Sequence, residues 1–227
     1  MIDLEPVRRS VVRLDGHFAD PKLAENAFYG TAFLVRRPGI SDKVWIVTNA
    51  HCVQSFLSRI DLLAFSHGKI EPFYSVRPSE FRGFGAEAQD LAIAELSDIV
   101  STQRAYEWNI FPIRERIPAG MATWSFGYPD DSTNFVVSGG ATLIESKVIQ
   151  ETSFFPNWGT NFFVENRSSP GRSGSPVYTM INDQPTLIGI NRGRVEASLG
   201  GGAFAPPVDR VVSTDHLLQL FDEKPAI

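Results

Sequence analysis

The stretch SSPGRSGSPV, residues 168–177, decides how this chain folds and what chemistry it could perform. Small residues crowd Ser173, and a proline then starts an apolar run. A serine hydroxyl is a poor nucleophile unless a base takes its proton and donors hold the oxyanion formed on attack. A glycine two residues earlier, Gly171, permits a turn whose amide N–H groups converge on one point. Ser173 is therefore a candidate nucleophile, with an oxyanion hole formed by the amides of Gly171 and Ser173. A plain turn between two strands is the alternative.

The composition favours many short strands over a helical bundle. Of the 227 residues, 43% are hydrophobic and 21% charged, which suffices to bury one large core or two small ones. The 18 glycines and 15 prolines are residues that separate strands by turns. We therefore expect an all-β fold.

Charge and cysteine content limit the partners and the compartment. The formal net charge of −5 provides no basic field, so nucleic acid is not an expected partner. Cys52 is the only cysteine, so no intrachain disulfide can form. No stretch approaches the roughly 18 apolar residues of a membrane span, and the acidic N-terminal residues have no apolar run after them. We expect a cytoplasmic protein without membrane contact, an exported mature form being the alternative. The oligomeric state stays open.

Apolar runs bounded by turn residues form two successive groups of about six strands. Strands are predicted at 10–14, 28–35, 44–48, 60–66, 70–77, 90–96, 121–127, 134–150, 161–165, 176–180, 186–190 and 203–206. Ser213 or Thr214 caps a terminal helix over about 214–222. Residues 97–118 are predicted to connect the groups, which gives an N-terminal unit over 1–115 and a C-terminal unit over 116–227.

A base and a carboxylate stand upstream of the serine. His51 follows an apolar strand and lies in a turn of small residues that could aim an imidazole into a cleft. The near-neutral pKa of histidine suits it to take a hydroxyl proton and return it to a leaving amine. Asp90 heads the apolar run Leu91–Leu96, where an unpartnered carboxylate would be costly to bury. A histidine N–H is one suitable partner, and backbone amides are the alternative.

Three local motifs in this order resemble those of the trypsin-like (chymotrypsin-fold) serine proteases. The motif TNAHC at 48–52 resembles their histidine motif, DLAI at 90–93 their aspartate motif, and GRSGSP at 171–176 their nucleophile motif. Residues 30–35 and 187–191 are similar as well, so the resemblance covers about residues 28–215. Within the superfamily, the chain most resembles the bacterial branch without disulfides, the HtrA/Deg proteases and glutamyl endopeptidases.

The resemblance implies two packed six-stranded antiparallel β-barrels with a C-terminal helix and a site in the cleft between them. His51 and Asp90 would come from the first barrel and Ser173 from the second. Ser173 would attack the scissile carbonyl of a protein or peptide substrate, and His51 would act as base and then acid. Asp90 would orient the imidazole, and no cofactor or metal is implied.

The resemblance also places a substrate pocket around Arg167, Ser168, Asn191, Arg192, Gly193 and Arg194. Arg167 stands where trypsin has its acidic pocket base, so cleavage after Lys or Arg is not expected. Asn191 stands where glutamyl endopeptidases have a histidine. The nearby arginines could attract an acidic side chain or could be solvated loop charges. A small apolar residue and an acidic residue before the cleaved bond are therefore both open as the preferred substrate.

Arg172 departs from the family pattern, in which the residue before the serine is usually Asn or Asp. A cation there needs an anion or solvent, and it could hold the loop inactive until a substrate or partner arrives. The leading functional prediction is a serine endopeptidase that acts through an acyl-enzyme. A catalytically silent homologue that binds extended peptides is the main alternative. An esterase is less well supported, because Ser175 replaces the second glycine of the Gly-x-Ser-x-Gly pattern.

Overall fold

The computed structural model describes residues 3–23, 28–37, 40–54, 56–66, 69–85, 89–97, 99–111, 116–129, 140–155, 159–165, 169–195 and 208–222. Within them, fifteen strands form two sheets, and three α-helices accompany the sheets. The first sheet contains β1 (Val11–Phe18), β2 (Phe28–Arg37), β3 (Ile40–Thr48), β4 (Leu57–Ser66), β5 (Lys69–Val76), β6 (Arg82–Phe84), β7 (Leu91–Leu96) and β8 (Tyr106–Glu107). The second contains β9 (Asn109–Ile110), β10 (Ala122–Gly127), β11 (Thr142–Phe155), β12 (Gly159–Glu165), β13 (Pro176–Ile181), β14 (Gln184–Val195) and β15 (Val208–Ser213). The helices are α1 (Glu5–Ser10), α2 (Ile99–Arg104) and α3 (Thr214–Asp222).

The second sheet closes on itself. Its strands follow the order β13-β10-β11-β12-β15-β14, and β14 pairs back to β13, which completes a six-stranded antiparallel barrel. The first sheet follows the order β5-β4-β1-β2-β3-β7-β6, and within the described residues no pairing joins β5 to β6. Two short strands add in parallel, β8 to β2 and β9 to β14.

Alternating side chains along the strands of the first sheet enter two different cores. In β2, Ala32 and Leu34 pack inside the first half, whereas Phe33 and Val35 pack in a core shared with the second half. Successive side chains of a strand point to opposite faces, so a strand buried on both faces carries a continuous apolar run. This explains why residues 32–35 of β2 are all apolar.

Aromatic rings dominate the core shared by the two halves. The ring of Trp108 lies 5.9 Å from Phe33 and 5.7 Å from Tyr178, measured between centroids. Helix α3 adds Leu217, Leu220 and Phe221 to the same core. These contacts fix the two halves against each other, and hence the position of any groups that face each other across their junction.

The predicted fold class is confirmed: the protein is mostly β, with a closed six-stranded barrel, a second sheet and a C-terminal helix. The strand predicted at 10–14 begins only one residue early, because Ser10 ends α1 and β1 runs over Val11–Phe18. The predicted connector 97–118 contains α2, β8 and β9. The strand predicted at 203–206 lies outside the described residues, and β15 was missed.

The predicted division into 1–115 and 116–227 stays a prediction. The first sheet ends with β8 and the second begins with β9, whereas residues 112–115 lie outside the described part of the chain. None of the helices in the described part is long and apolar enough to cross a membrane.

Candidate active site

A single 3₁₀ turn, Ala50–Cys52, carries His51 at the end of β3. The amide of Cys52 donates to the carbonyl of Asn49 at 3.0 Å and closes this turn. The side chain of His51 is 30% exposed. The turn therefore delivers the imidazole from a buried strand to an accessible place, as the sequence predicted.

Asp90 is fully buried and directly precedes β7. Its carboxylate accepts two hydrogen bonds from one residue, from the backbone N–H of His51 at 2.9 Å and from Nδ1 of His51 at 2.8 Å. The side-chain amide of Asn49 donates to the carbonyl of Asp90 at 2.9 Å. Asp90 has φ of 53°, a left-handed conformation that aspartate tolerates better than most residues. This backbone turn lets the carboxylate face the histidine.

Burial and hydrogen bonding act in opposite directions on the imidazole. Burial disfavours the charged form, but the hydrogen bonds to Asp90 and Cys52 favour it and raise the pKa of His51 to about 10. At neutral pH the imidazole is therefore largely protonated in this arrangement. It must lose that proton before it can act as a base.

Two left-handed glycines shape the serine loop, Gly171 with φ of 86° and Gly174 with φ of 90°. A side chain at 174 would meet the carbonyl oxygen of Thr31 at 1.9 Å, so only glycine fits there. Thr31 also holds the loop from β2. Its N–H donates to the carbonyl of Ser173 at 2.8 Å, and its hydroxyl donates to the carbonyl of Gly171 at 2.8 Å. A strand of the first sheet thus positions the loop that belongs to the second.

The two amides predicted to form the oxyanion hole donate no hydrogen bond to any other residue that the structure describes. Their neighbours are bonded: Arg172 N–H donates to Ser169 at 3.3 Å, and Gly174 N–H donates to Asn191 at 2.8 Å. Among the described residues, the N–H groups of Gly171 and Ser173 thus have no acceptor, and they could donate to an oxygen of a bound molecule.

Arg192 joins the predicted groups, a role that the sequence did not reveal. The hydroxyl of Ser173 donates to the carbonyl of Arg192 at 3.0 Å, and Nε of Arg192 lies 3.0 Å from Oδ2 of Asp90. Next to His51, Cys52 Sγ lies 3.8 Å from the carbonyl of Ser173. The structure therefore gathers His51, Asp90 and Ser173 in one place. Within the described residues, however, the serine hydroxyl bonds to Arg192 and not to His51.

Arg172 points into the second barrel, where it is 2% exposed. Its guanidinium donates to the hydroxyl and the carbonyl of Thr142 at 2.8 and 2.7 Å and to the carbonyl of Ser125 at 3.3 Å. Asp209 lines the same small cavity. Burial lowers the pKa of Arg172 to about 10, and the charge of Asp209 opposes that shift. The cation that the sequence left without an anion thus has partners inside the barrel.

The predicted substrate pocket is described only in part. Arg167 and Ser168 lie outside the described residues. Asn191 is buried and accepts a hydrogen bond from Gly193 N–H on Oδ1 at 3.0 Å. A Cβ atom added at Gly193 would lie 3.4 Å from the hydroxyl of Ser173, which places this residue beside the candidate nucleophile. Arg194 is exposed.

Cys52 is a buried free thiol. A Cβ atom built on Gly30 would lie 3.0 Å from its sulfur, so the thiol packs closely against the backbone of β2 at this glycine. Within the described part of the chain, no group of three or more His, Cys, Asp or Glu side chains could hold a metal ion.

Comparison with solved structures shows the same fold in several proteases. The scabies mite inactivated protease paralogue SMIPP-S-I1 has a TM-score of 0.61 at 16% identity, over 97% of this chain and 95% of that one. Rv3671c from M. tuberculosis H37Rv, a serine-to-alanine mutant in an inactive form, has a TM-score of 0.58 at 15% identity, over 99% and 92%. The thermostable serine protease AL20 from an extremophilic microorganism has a TM-score of 0.55 at 13% identity, over 96% and 100%.

A search of curated protein sequences gives no match. A family model for the trypsin-like peptidase domain does match, over residues 30–190, a segment that contains His51, Asp90 and Ser173. Because this match covers more than half of the chain, the protein belongs to the trypsin-like peptidase domain family.

Proposed function

We propose that this protein is a serine endopeptidase with Ser173 as nucleophile, His51 as general base and acid, and Asp90 as the carboxylate that orients the histidine. One observation carries the proposal: the buried carboxylate of Asp90 accepts both the backbone N–H and Nδ1 of His51, at 2.9 and 2.8 Å. Accepting Nδ1–H leaves Nε2 as the ring nitrogen that can take a proton from a hydroxyl.

In the proposed reaction, Oγ of Ser173 attacks the carbonyl carbon of a peptide bond while its proton passes to Nε2 of His51. The oxyanion forms opposite the N–H groups of Gly171 and Ser173, which have no acceptor among the described residues. His51 then donates the proton to the leaving amine as the C–N bond breaks. A water molecule then attacks the resulting ester while its proton passes to Nε2 of His51. As the bond to Oγ of Ser173 breaks, His51 donates that proton to Oγ and the acid product leaves.

Substrate preference follows from the residues around the cleft. We propose that cleavage does not follow Lys or Arg and that small apolar or acidic residues are preferred, because the residues predicted around the pocket include arginines and no acidic group. A peptide library profiled for the residue before the cut tests this. A best response to Lys or Arg would contradict it.

Digestion of casein tests the proposed activity. We expect digestion by the wild-type protein, its inhibition by a sulfonyl fluoride, and no digestion by Ser173→Ala. Ser175→Ala is the matched control, because this serine lies two residues away and its buried hydroxyl has no hydrogen-bond partner among the described residues. Digestion by Ser173→Ala at the wild-type rate would overturn the proposal.

A catalytically silent homologue that binds extended peptides is the second candidate. The bond from the Ser173 hydroxyl to the Arg192 carbonyl favours it, because that hydroxyl donates its proton to a carbonyl rather than to the proposed base. Binding of casein-derived peptides without cleavage, and without labelling of Ser173 by a fluorophosphonate, would support this candidate over the first.

A further inference from the structure

Arg192 contacts two of the groups that the proposed reaction needs. Its backbone carbonyl accepts the hydrogen bond of the Ser173 hydroxyl at 3.0 Å. Its Nε lies 3.0 Å from Oδ2 of Asp90, the oxygen that also accepts Nδ1 of His51. Arg192, a single residue of β14, thus contacts both the proposed nucleophile, Ser173, and the carboxylate of Asp90.

Both contacts oppose the proposed proton transfer. A serine hydroxyl has one proton, and while it is donated to the carbonyl of Arg192 it cannot be donated to Nε2 of His51. The guanidinium shares Oδ2 of Asp90 with the imidazole. A second cation at that oxygen reduces the electrostatic stabilisation that the carboxylate gives to a protonated His51. Attack by Ser173 therefore requires at least the carbonyl contact to break.

The backbone around Arg192 is suited to such a change. In the ladder between β14 and β15, Asn191 pairs with Val211 and Gly193 pairs with Arg210, so Arg192 is an extra residue between two pairs. Such bulged residues lie outside the regular ladder and redirect side chains near functional sites. Gly193 follows with φ of 105°, a conformation that glycine leaves and enters without a Cβ penalty. Turning the Arg192 carbonyl rotates the planar peptide that it shares with Gly193 N–H, so the hydrogen bond from that N–H to Oδ1 of Asn191 must break as well.

The side-chain contact is close but not well aligned. Nε of Arg192 is buried and makes no hydrogen bond of good geometry, although it lies 3.0 Å from the carboxylate. The Arg192 side chain as a whole is 32% exposed, so solvent can replace part of the contact when it breaks. An ion pair of this kind holds a resting arrangement that can still be released.

We propose that Arg192 is an autoinhibitory latch, which holds Ser173 through its carbonyl and Asp90 through its guanidinium in a resting arrangement that must open before the serine reacts. This inference rests on the proposed function. The side chain anchors the bulge to Asp90, so its removal frees the carbonyl that restrains the serine.

The rate of Ser173 labelling by a fluorophosphonate tests the latch on the full chain. We expect Arg192→Ala to react about tenfold faster than the wild type, the factor expected from loss of one partly exposed, charge-assisted contact. Arg192→Lys retains a cation that can reach the carboxylate, so its rate should rise less than that of Arg192→Ala. Arg192→Gln removes the charge but keeps most of the side chain, and it should also react faster, even if the alanine variant is poorly folded.

Arg116→Ala is the control for the loss of one positive charge. Arg116 pairs with Glu151 at 3.6 Å on the surface, and its side chain is 77% exposed. We expect no change in its labelling rate. Equal or slower labelling of folded Arg192→Gln and Arg192→Ala, next to clear labelling of the wild type, would overturn the latch and leave the proposed function standing. Labelling of none of the variants would overturn the proposed function and the latch together.

Discussion

Asp90 holds His51 at two points, accepting its backbone N–H at 2.9 Å and its Nδ1 at 2.8 Å. A contact through Nδ1 alone would leave the 3₁₀ turn free to rotate beneath the ring. The second hydrogen bond ties that turn to the same carboxylate, so the position of the backbone and the orientation of the ring are fixed together.

Replacing this carboxylate by its amide should abolish most of the activity. The Asp90→Asn variant is expected to keep the left-handed backbone, since asparagine also tolerates φ near 53°. However, the two N–H groups of His51 bond to different oxygens of the carboxylate, so in the amide one of them would face an NH₂ group that cannot accept. We expect the fluorophosphonate labelling rate to fall by about 10³- to 10⁴-fold.

The control for Asp90→Asn is Asp61→Asn. Asp61 also contacts a histidine, with Oδ2 at 2.7 Å from Nε2 of His17, but this pair lies on the surface. We expect no change in labelling from that substitution. A similar loss in both variants would mean that the effect is not specific to the candidate site.

The labelling rate should keep rising above neutral pH. Burial lowers the pKa of His51, but the hydrogen bonds to Asp90 and Cys52 outweigh it and raise the pKa to about 10. The proposed attack requires the neutral, base form of His51, so the rate should increase with pH until about pH 10. A rate profile that levels off near the ordinary histidine value of 6.5 would contradict this arrangement.

The raised pKa of His51 also predicts how the unfolding free energy of the protein depends on pH. Because the pKa of His51 in the folded protein lies above its ordinary value of 6.5, its protonation stabilises the folded state. This contribution is fully present below about pH 6.5 and is lost as the pH rises through about 10. Urea unfolding of wild type and His51→Gln should show a difference in unfolding free energy that shrinks over this range. A constant difference would contradict the prediction.

Thr31 should matter for reactivity although it belongs to the first sheet. It is fully buried, and its hydroxyl donates to the carbonyl of Gly171 at 2.8 Å and accepts from Tyr128 N–H at 3.0 Å. Thr31→Val keeps the shape but leaves both partners unsatisfied, at a cost of about 1–3 kcal/mol. We expect slower labelling and a Tm lower by about 2–4 °C for each kcal/mol lost. Thr31→Ser keeps the hydroxyl and should restore the labelling rate. If it does not, the slower labelling arises from lost packing of the Thr31 side chain and not from its hydrogen bonds.

Gly174→Ala should be strongly destabilising. The new Cβ would lie 1.9 Å from the carbonyl oxygen of Thr31 and 2.4 Å from the hydroxyl of Thr48, and φ of 90° is itself unfavourable for alanine. Conformational strain alone costs about 1–3 kcal/mol, and the overlap adds to it. Thermal unfolding measures the loss. Gly85→Ala is the matched control, since a Cβ there meets nothing within 4 Å; an equal Tm for the two variants would contradict the close approach.

Local patterns in the sequence predicted most of the fold. Apolar runs such as residues 32–35 of β2 and 91–94 of β7 specify strands, because a strand whose alternate side chains enter two cores needs apolar residues at successive positions. The terminal helix Thr214–Asp222 was likewise predicted, from its cap and apolar face. The strand predicted from Ser10 begins one residue early, because Ser10 ends α1 and an apolar pattern does not mark the boundary between adjoining elements.

Local motifs alone identify the residue types that could carry the chemistry: a serine among glycines, a histidine after a strand and an aspartate before one. Their spatial relation depends on the folded chain, because these residues lie far apart in sequence and meet through contacts between the two sheets. The clearest case is Arg192, whose sequence shows only a charge in a loop-like segment. A bulge in β14 and the following glycine place its carbonyl on Ser173 and its guanidinium on Asp90, and both placements depend on pairing with β15, which no local pattern encodes.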